Sequence, residues 1–291
     1  MQRGLFSLLP LSRTQDPISQ IMSLKKFAPW KIQADDRFKL SDIPTRLPAS
    51  KGQVDEAKWL KSLFERLNKM QNTLYAAKSH GLLLVLQGMD TAGKDGVIRH
   101  VFTHISPLGV RAQAFAAPSE EEMRHDFLWR IHSKLPAKGE LVIFNRSHYE
   151  DVLVPQVRGL LKPAMIEKRL AHIRNFEAML EDEGIIVLKC FVHISKSEQK
   201  KRLQARLEDP QKQWKLQASD FEDRKLWPAF MRAYQQTLSA TSTKEAPWYV
   251  IPADDKSDRN LFLAELLVNT LEDMHLKMPQ PSIKPGSIKL V

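Results

Sequence analysis

Gly88, Gly93 and Lys94 stand in the spacing glycine, four residues, glycine, lysine, and the chemistry of that pattern is phosphate binding. Glycines let backbone N–H groups close round an anion, the helix that follows adds partial positive charge at its N-terminus, and the lysine adds a full charge. Met89, Asp90, Thr91 and Ala92 fill the loop, and Asp95 and Gly96 follow the lysine. Asp95 occupies the place where such loops usually carry the Ser or Thr that holds magnesium. A carboxylate is also a hard oxygen ligand, so either Asp95 or the in-loop Asp90 can take that duty for Mg2+ or Mn2+. The bland alternative is a glycine-rich strand-to-helix turn with no ligand.

A second constellation runs Asn145, Arg146, Ser147, His148, Tyr149, Glu150, Asp151. Arg146 is a natural bidentate clamp for phosphate. In most phosphate-loop enzymes an acid at this point helps organise magnesium. Here the strand ends in Asn145, and Glu150 and Asp151, about one helical turn on, can supply the missing charge; equally, they can simply favour a helix N-terminus. Further on, residues Ser195 to Lys215 carry seven basic side chains against three acidic ones. Arg202 and Arg206 are four apart, so a helix puts both guanidiniums on one face, where they can close as a lid over transferring phosphates. A solvated basic face is the competing reading of that run.

These residues need elements to position them. The uncharged run Leu82–Leu86 predicts a central parallel strand, and the segment from Lys94 through Phe102 a helix. Val54–Ala77 has apolar residues at helical spacing, and Val110–Phe115 reads as a second strand. Ser119 with Glu122 forms a capping box that opens a helix to about Leu135. Leu141–Phe144 is the third strand, Pro163 starts a long helix ended by Gly184, Ile185–Ile194 is the fourth strand, Trp248–Ile251 the fifth, and a last helix runs through Asn260–Met274. Strands alternating with helices imply a parallel sheet covered on both faces. Residues 1–30 read as an N-terminal extension with Met22 as a second possible start, 31–51 as an irregular arm, 195–226 as the lid, and 275–291 as a proline-bearing tail.

The chain has 291 residues and a formal charge of +10, which favours a polyanionic partner: nucleic acid, an acidic membrane surface or a phosphate polymer. The single cysteine, Cys190, excludes an intramolecular disulfide and suits a reducing cytoplasm. No stretch approaches the roughly 20 apolar residues that cross a bilayer, and Gly4–Leu11 is short, contains Pro10 and lacks a cleavage site, so it does not read as a signal peptide. A soluble protein with no membrane partner is expected. Scattered histidines show no ligand spacing and are assigned no catalytic part. Trp129 or Trp214 can flank a base, and Phe102 and Leu108 can line an acceptor pocket.

Several ordered blocks are familiar together: Lys39–Asp42, Gln87–Gly96, His125–Arg130, Phe144–Leu153, Glu208–Pro210 with Trp214–Lys215, and Ala246–Asp254. From Trp30 to Leu271 the chain resembles the polyphosphate kinase 2 family, enzymes that move phosphoryl groups between inorganic polyphosphate and nucleotides. The resemblance implies a P-loop kinase-like three-layer α/β fold with a five-stranded parallel sheet and a helical lid. It also implies adenine or guanine nucleotides as partners, Mg2+ as cofactor, and a homo-oligomer, dimer or tetramer. Position by position it assigns Asp90 as the loop's catalytic carboxylate, Arg146 as the arginine after the third strand, and Arg206, with Arg202 beside it, as the lid arginine. Arg130, Asn145, Arg158, Lys212 and Lys215 are expected to join the loop in contacting phosphate or nucleotide, and Asp151 to stand with Asp90, Asp95 and Glu150 near the metal. Some members carry Asp where this chain has Asn145; with Asn, the chain resembles the subgroup accepting AMP as well as ADP, and Glu150 then replaces the lost carboxylate. Two other readings are an ATP-dependent nucleoside monophosphate kinase, which shares loop, sheet and lid, and a non-catalytic nucleic-acid-binding protein, for which no patterned aromatic and basic motif is present.

Overall fold

The computed structural model describes residues 24–34, 38–48, 56–283 and 286–287. A 3-10 helix, Leu24–Trp30, leads into the two-residue strand β1 (Lys31–Ile32). Then come α1 (Glu56–Ala77), β2 (Gly81–Gln87), α2 (Lys94–Phe102), β3 (Val110–Ala114), α3 (Glu120–Met123), α4 (Trp129–His132), β4 (Leu141–Asn145) and α5 (Glu150–Val157). The second half adds α6 (Pro163–Asp182), β5 (Ile185–His193), α7 (Lys196–Glu208), α8 (Ala218–Lys225), α9 (Trp227–Thr241), β6 (Trp248–Pro252) and α10 (Lys256–Asp273). The sheet order is β1-β6-β5-β2-β4-β3. β2 lies between β4 and β5, parallel to both, and every one of its residues is buried, as its unbroken apolar run requires.

Two apolar cores sandwich the sheet. Leu83, Val85, Val142, Phe144 and Val187 face α5, α6 and α9, while Leu82, Leu84, Leu86, Ile143 and Leu188 face α1, α2 and α10. Alternate residues of the same strands supply the two faces, because successive side chains point to opposite sides. The parallel strands carry their carboxyl ends to one edge, and chain order reverses across β2, which makes a crevice there.

Three expectations are corrected. The sheet has six strands among the described residues, not five: β1 pairs antiparallel to β6, Lys31 opposite Tyr249, in a stretch expected to be irregular, and two residues are too few to show a period. Residues 24–30, expected in the extension, dock through Phe27, whose ring meets Phe262 at 4.9 Å and Tyr249 at 6.5 Å. The helix expected from Ser119 to about Leu135 is broken. Its capping box forms as expected, but Asp126 Oδ1 accepts the Leu128 N–H at 3.0 Å, a local side-chain bond that competes with helix continuation. The stretch before residue 24, Met22 included, the start of the first long helix and the end of the tail lie outside the described residues. Among the described residues no helix is long and apolar enough to cross a membrane.

Gly184, at φ 80°, closes α6 as expected, and the turn lets Glu181 accept the Val187 N–H at 2.6 Å. Burial pushes the Glu181 carboxyl up to about 7, against the stabilising Val187 hydrogen bond. A carboxyl raised on folding binds more protons in the native than in the unfolded state between the two pKa values. It therefore withdraws stability as pH rises from its ordinary range to about 7. Glu181→Gln keeps the acceptor and removes the titration. Thermal melts at pH 5 and pH 8 should show the variant losing less stability over that interval than the unaltered protein.

Candidate active site

The loop after β2 needs its glycines for contact as well as for conformation. A Cβ on Gly88 would stand 2.6 Å from the Val192 carbonyl, and one on Gly93, at φ 106°, would stand 2.0 Å from Arg259 Nη1. Thr91 and Arg146 are non-glycine residues held at φ 64° and 63°, a conformation that costs about 1–2 kcal/mol for each. Their surroundings hold them there. Thr91 gives its carbonyl to Arg202, and Arg146 donates its backbone N–H to Leu86 O at 3.0 Å. Strained backbone at two facing strand ends is a mark of a functional site.

Lys94 is buried at the start of α2 and folds back on the loop, donating to Gly88 O at 2.6 Å and Met89 O at 3.2 Å. Burial, with the Arg146 charge beside it, brings its ammonium down to about 8, against the pull of Asp90, Glu150 and Asp95. The loop carbonyls are neutral partners that a phosphate oxygen can replace.

Opposite, β4 delivers Asn145 and Arg146. Asn145 donates to Asp95 Oδ1 at 2.7 Å, and Lys215 reaches Asp95 Oδ2 at 3.5 Å. Together they hold the Asp95 carboxyl below its usual range although burial opposes them. Arg146 donates to Asp90 Oδ1 at 2.5 Å and lies 3.6 Å from Glu150 Oε2. Burial works against the Arg146 charge, but Glu150 and Asp90 outweigh it and raise its pKa. Glu150 is itself raised by burial, in spite of Arg146 and Lys94. With the Gln87 amide assigned to satisfy both its atoms, its nitrogen donates to Glu150 Oε1 at 2.9 Å and its oxygen accepts from Ser147. Between Arg146 and Glu150, the side chains of Ser147, His148 and Tyr149 are fully buried. Glu177 Oε1 accepts the Tyr149 hydroxyl at 2.8 Å and lies 3.2 Å from His148 Nε2. Lys189 completes the group, donating to Glu177 Oε2 and to Thr241 O at 2.6 Å each. The segment is thus pegged into the core on one side and offers Arg146 and Glu150 on the other.

The remaining residues singled out from sequence divide into those at the crevice and those engaged elsewhere. Arg202 is saturated in this conformation. It donates to Thr91 O, Ala92 O, Ala253 O and Asp254 O, and to Glu198 Oε1 at 2.8 Å, so it lashes α7 to the loop and does not lean over it beside Arg206. Arg206 points at Asp220 Oδ2, 3.8 Å away, and Arg158 pairs with Asp223. Lys212 pairs with Asp209 just after α7. Arg130 is buried, bound to Ala116 O at 2.9 Å and to Asp151 Oδ2 at 2.8 Å. That pair engages the Asp151 carboxylate, whose charge still helps to raise Glu150, and Glu122 stands 3.7 Å from the same arginine. Gly96 packs beside Arg259. Trp214 is exposed beneath Lys215, while Trp129 stacks on His125 at 4.0 Å. Sequence reasoning missed Gln87, Glu177, Lys189, Asp220 and Asp223. The available signals were polar residues in otherwise apolar strands: Gln87 closing β2 and Lys189 in the middle of β5.

Residues 50–279 match the family described as polyphosphate kinase 2. The chain belongs to that family. It is 49% identical over 254 residues to an AMP/ADP-polyphosphate phosphotransferase of Meiothermus ruber, covering 87% of this chain and 95% of the relative. It is 39% identical over 273 residues to an ADP-polyphosphate phosphotransferase of Rhodopseudomonas palustris, covering 89% and 94%. The crystal structure of polyphosphate kinase 2 from Arthrobacter aurescens superimposes with a TM-score of 0.82 at 40% identity, over 86% of this chain and 90% of that one. Membership of the polyphosphate kinase 2 family makes this chain a phosphotransferase with a P-loop kinase-like α/β fold.

The donor set fits a hard divalent cation. Asp90 and Glu150 meet on one guanidinium and present carboxylate oxygens beside the phosphate loop. Among the described residues no three His, Cys, Asp or Glu side chains form a closed cage, and magnesium is typically held by one or two carboxylates with phosphate oxygens completing its shell.

The lowered ammonium of Lys94 gives a pH signature. Below about 8 it is charged and available to pair with an anion; above that value the charge is lost in the free protein. Equilibrium binding of polyphosphate measured from pH 6.5 to 9 should be level at the acid end and weaken by up to about tenfold per pH unit beyond 8. Lys94→Met should bind weakly throughout, without that bend.

Proposed function

We propose that this protein transfers phosphoryl groups reversibly between inorganic polyphosphate and AMP or ADP. The observation that carries the reading is the arrangement after β4: an amide, Asn145, stands at the strand end, and Glu150, one turn later, comes back to the same guanidinium as the loop carboxylate Asp90. It is supported by 49% identity with a relative named for both AMP and ADP.

The chemistry needs no nucleophilic side chain. Phosphoryl transfer proceeds with donor, phosphorus and acceptor roughly in line, and catalysis comes from alignment and charge. The loop N–H groups and Lys94 grip the phosphates, the ammonium exchanging the Gly88 and Met89 carbonyls for phosphate oxygens. Arg146 presents its guanidinium from the facing strand end, and Arg206 approaches from α7. Glu150 and Asp90 orient Arg146, and Gln87 orients Glu150. Asp90 and Glu150 would hold a magnesium or manganese ion, whose part is to neutralise charge on the bound phosphates. Arg202 keeps the lid helix seated on the loop. The excess of basic residues suits a long polyanion. The same reading carries the homo-oligomeric state and cytoplasmic location expected above.

Donor choice decides between this reading and an ATP-dependent nucleoside monophosphate kinase. With polyphosphate and ADP as the only phosphorus compounds, phosphorus NMR should show ATP appearing as the chain shortens. Turnover with ATP and AMP, and none with polyphosphate, would replace the reading with its rival. Lys94→Ala and Arg206→Ala should each lower kcat/KM with polyphosphate by about a hundredfold or more, the scale of losing one charge-stabilising contact in the transition state. Near-normal turnover would remove that residue from the mechanism.

A further inference from the structure

Two aspartates of α8 face arginines from other elements. Asp220 and Asp223 are three residues apart, which puts them on one face of the helix. Asp220 Oδ2 lies 3.8 Å from Arg206 and Asp223 is paired to Arg158. Both carboxyls are raised above the ordinary range by burial and by repulsion from Asp90, with Arg206 and Arg158 respectively pulling the other way. Carboxylates that feel the charge of Asp90 are poorly placed for stability alone. What the three share is a guanidinium partner each: Arg146 on Asp90, Arg206 on Asp220, Arg158 on Asp223.

The helix is fixed in place. Arg224 donates to Lys196 O at 2.8 Å and to Gln199 Oε1 at 2.9 Å, and Gln199 in turn donates to Asp90 O at 3.1 Å. α8 is therefore registered against α7 and the phosphate loop. Arg158 remains 38% exposed and Arg206 24%, so an anion arriving from solvent can reach both.

We propose that Asp220 and Asp223 stand in for phosphate groups on a polyphosphate track leading from the loop along α8, and that a chain binds by displacing them from Arg206 and Arg158. This inference rests on the polyphosphate reading above. Each exchange replaces one guanidinium–carboxylate pair by one guanidinium–phosphate pair, so the net gain per contact is small. After the first exchange the next is intramolecular, and a chain accumulates contacts that a single phosphate cannot. Internal competition of this kind holds a highly charged polymer without fixing it, so the chain can advance and leave.

The test is equilibrium binding of long-chain polyphosphate and of ADP, by calorimetry, to the full-length protein. Asp223→Asn should tighten polyphosphate about two- to fivefold, the worth of one partly exposed ion pair, and leave ADP unchanged. Arg158→Gln should weaken polyphosphate, and in the combined variant the tightening should vanish. Asp220→Asn, which keeps a side chain able to cap α8, gives the second reading at Arg206, and thermal melts report whether each variant is folded. Polyphosphate binding that weakens or stays unchanged in both Asn variants would overturn the inference, as would equal tightening without Arg158. If the unaltered protein turns over polyphosphate while the variants behave that way, the track fails and the proposed function stands; if the unaltered protein does not bind polyphosphate, both fail.

Discussion

One guanidinium joins the two strand ends that flank the crevice. Arg146 follows β4, Asp90 lies in the loop after β2, and Glu150 opens α5; the arginine touches both acids. Partial burial alone would lower the basicity of Arg146 and raise the pKa of Glu150. Each is tolerated because the other is there. The left-handed backbone of Arg146 and its buried neighbours Ser147, His148 and Tyr149 serve that contact. Glu177 and Lys189 lie behind them, a paired charge with no solvent access. Removing one member of such a pair strands the other, and that is costly. The crevice is thus rigid at its base, where geometry matters most.

Elsewhere the crevice is closed on itself by ion pairs. Lys94 rests on loop carbonyls, Lys215 on Asp95, Arg206 on Asp220 and Arg158 on Asp223. Cations gathered in one crevice repel one another, and these partners relieve the repulsion. Arg202 places its donors on four backbone carbonyls and Glu198, so the start of α7 is held to the loop and cannot lift from it without stranding a cation.

Much of this was legible in the sequence because it rests on local signals. The apolar run of β2, the glycine spacing and Lys94, the Pro163 start and Gly184 stop of α6, and the capping box at Ser119 each depend on residues within one element. What escaped was set by partners far along the chain. Nothing near Arg202 signals that Ala253 and Asp254 take its donors, and nothing near Asp151 signals Arg130, 21 residues earlier. The antiparallel β1 has two residues and no period. The break between α3 and α4 turns on a single Asp126 side chain whose competing hydrogen bond leaves the helical pattern of its neighbours intact.

The shared guanidinium is the claim on which the account depends, and a double-mutant cycle on kcat between Arg146→Met and Glu150→Gln measures it directly. If Glu150 acts through Arg146, the double variant is no slower than the slower single one, and the coupling reaches about 1.4 kcal/mol, a factor of ten. Losses that multiply, with coupling below about 0.5 kcal/mol, would show that the two residues act independently and that Arg146 is not the joint between the strand ends.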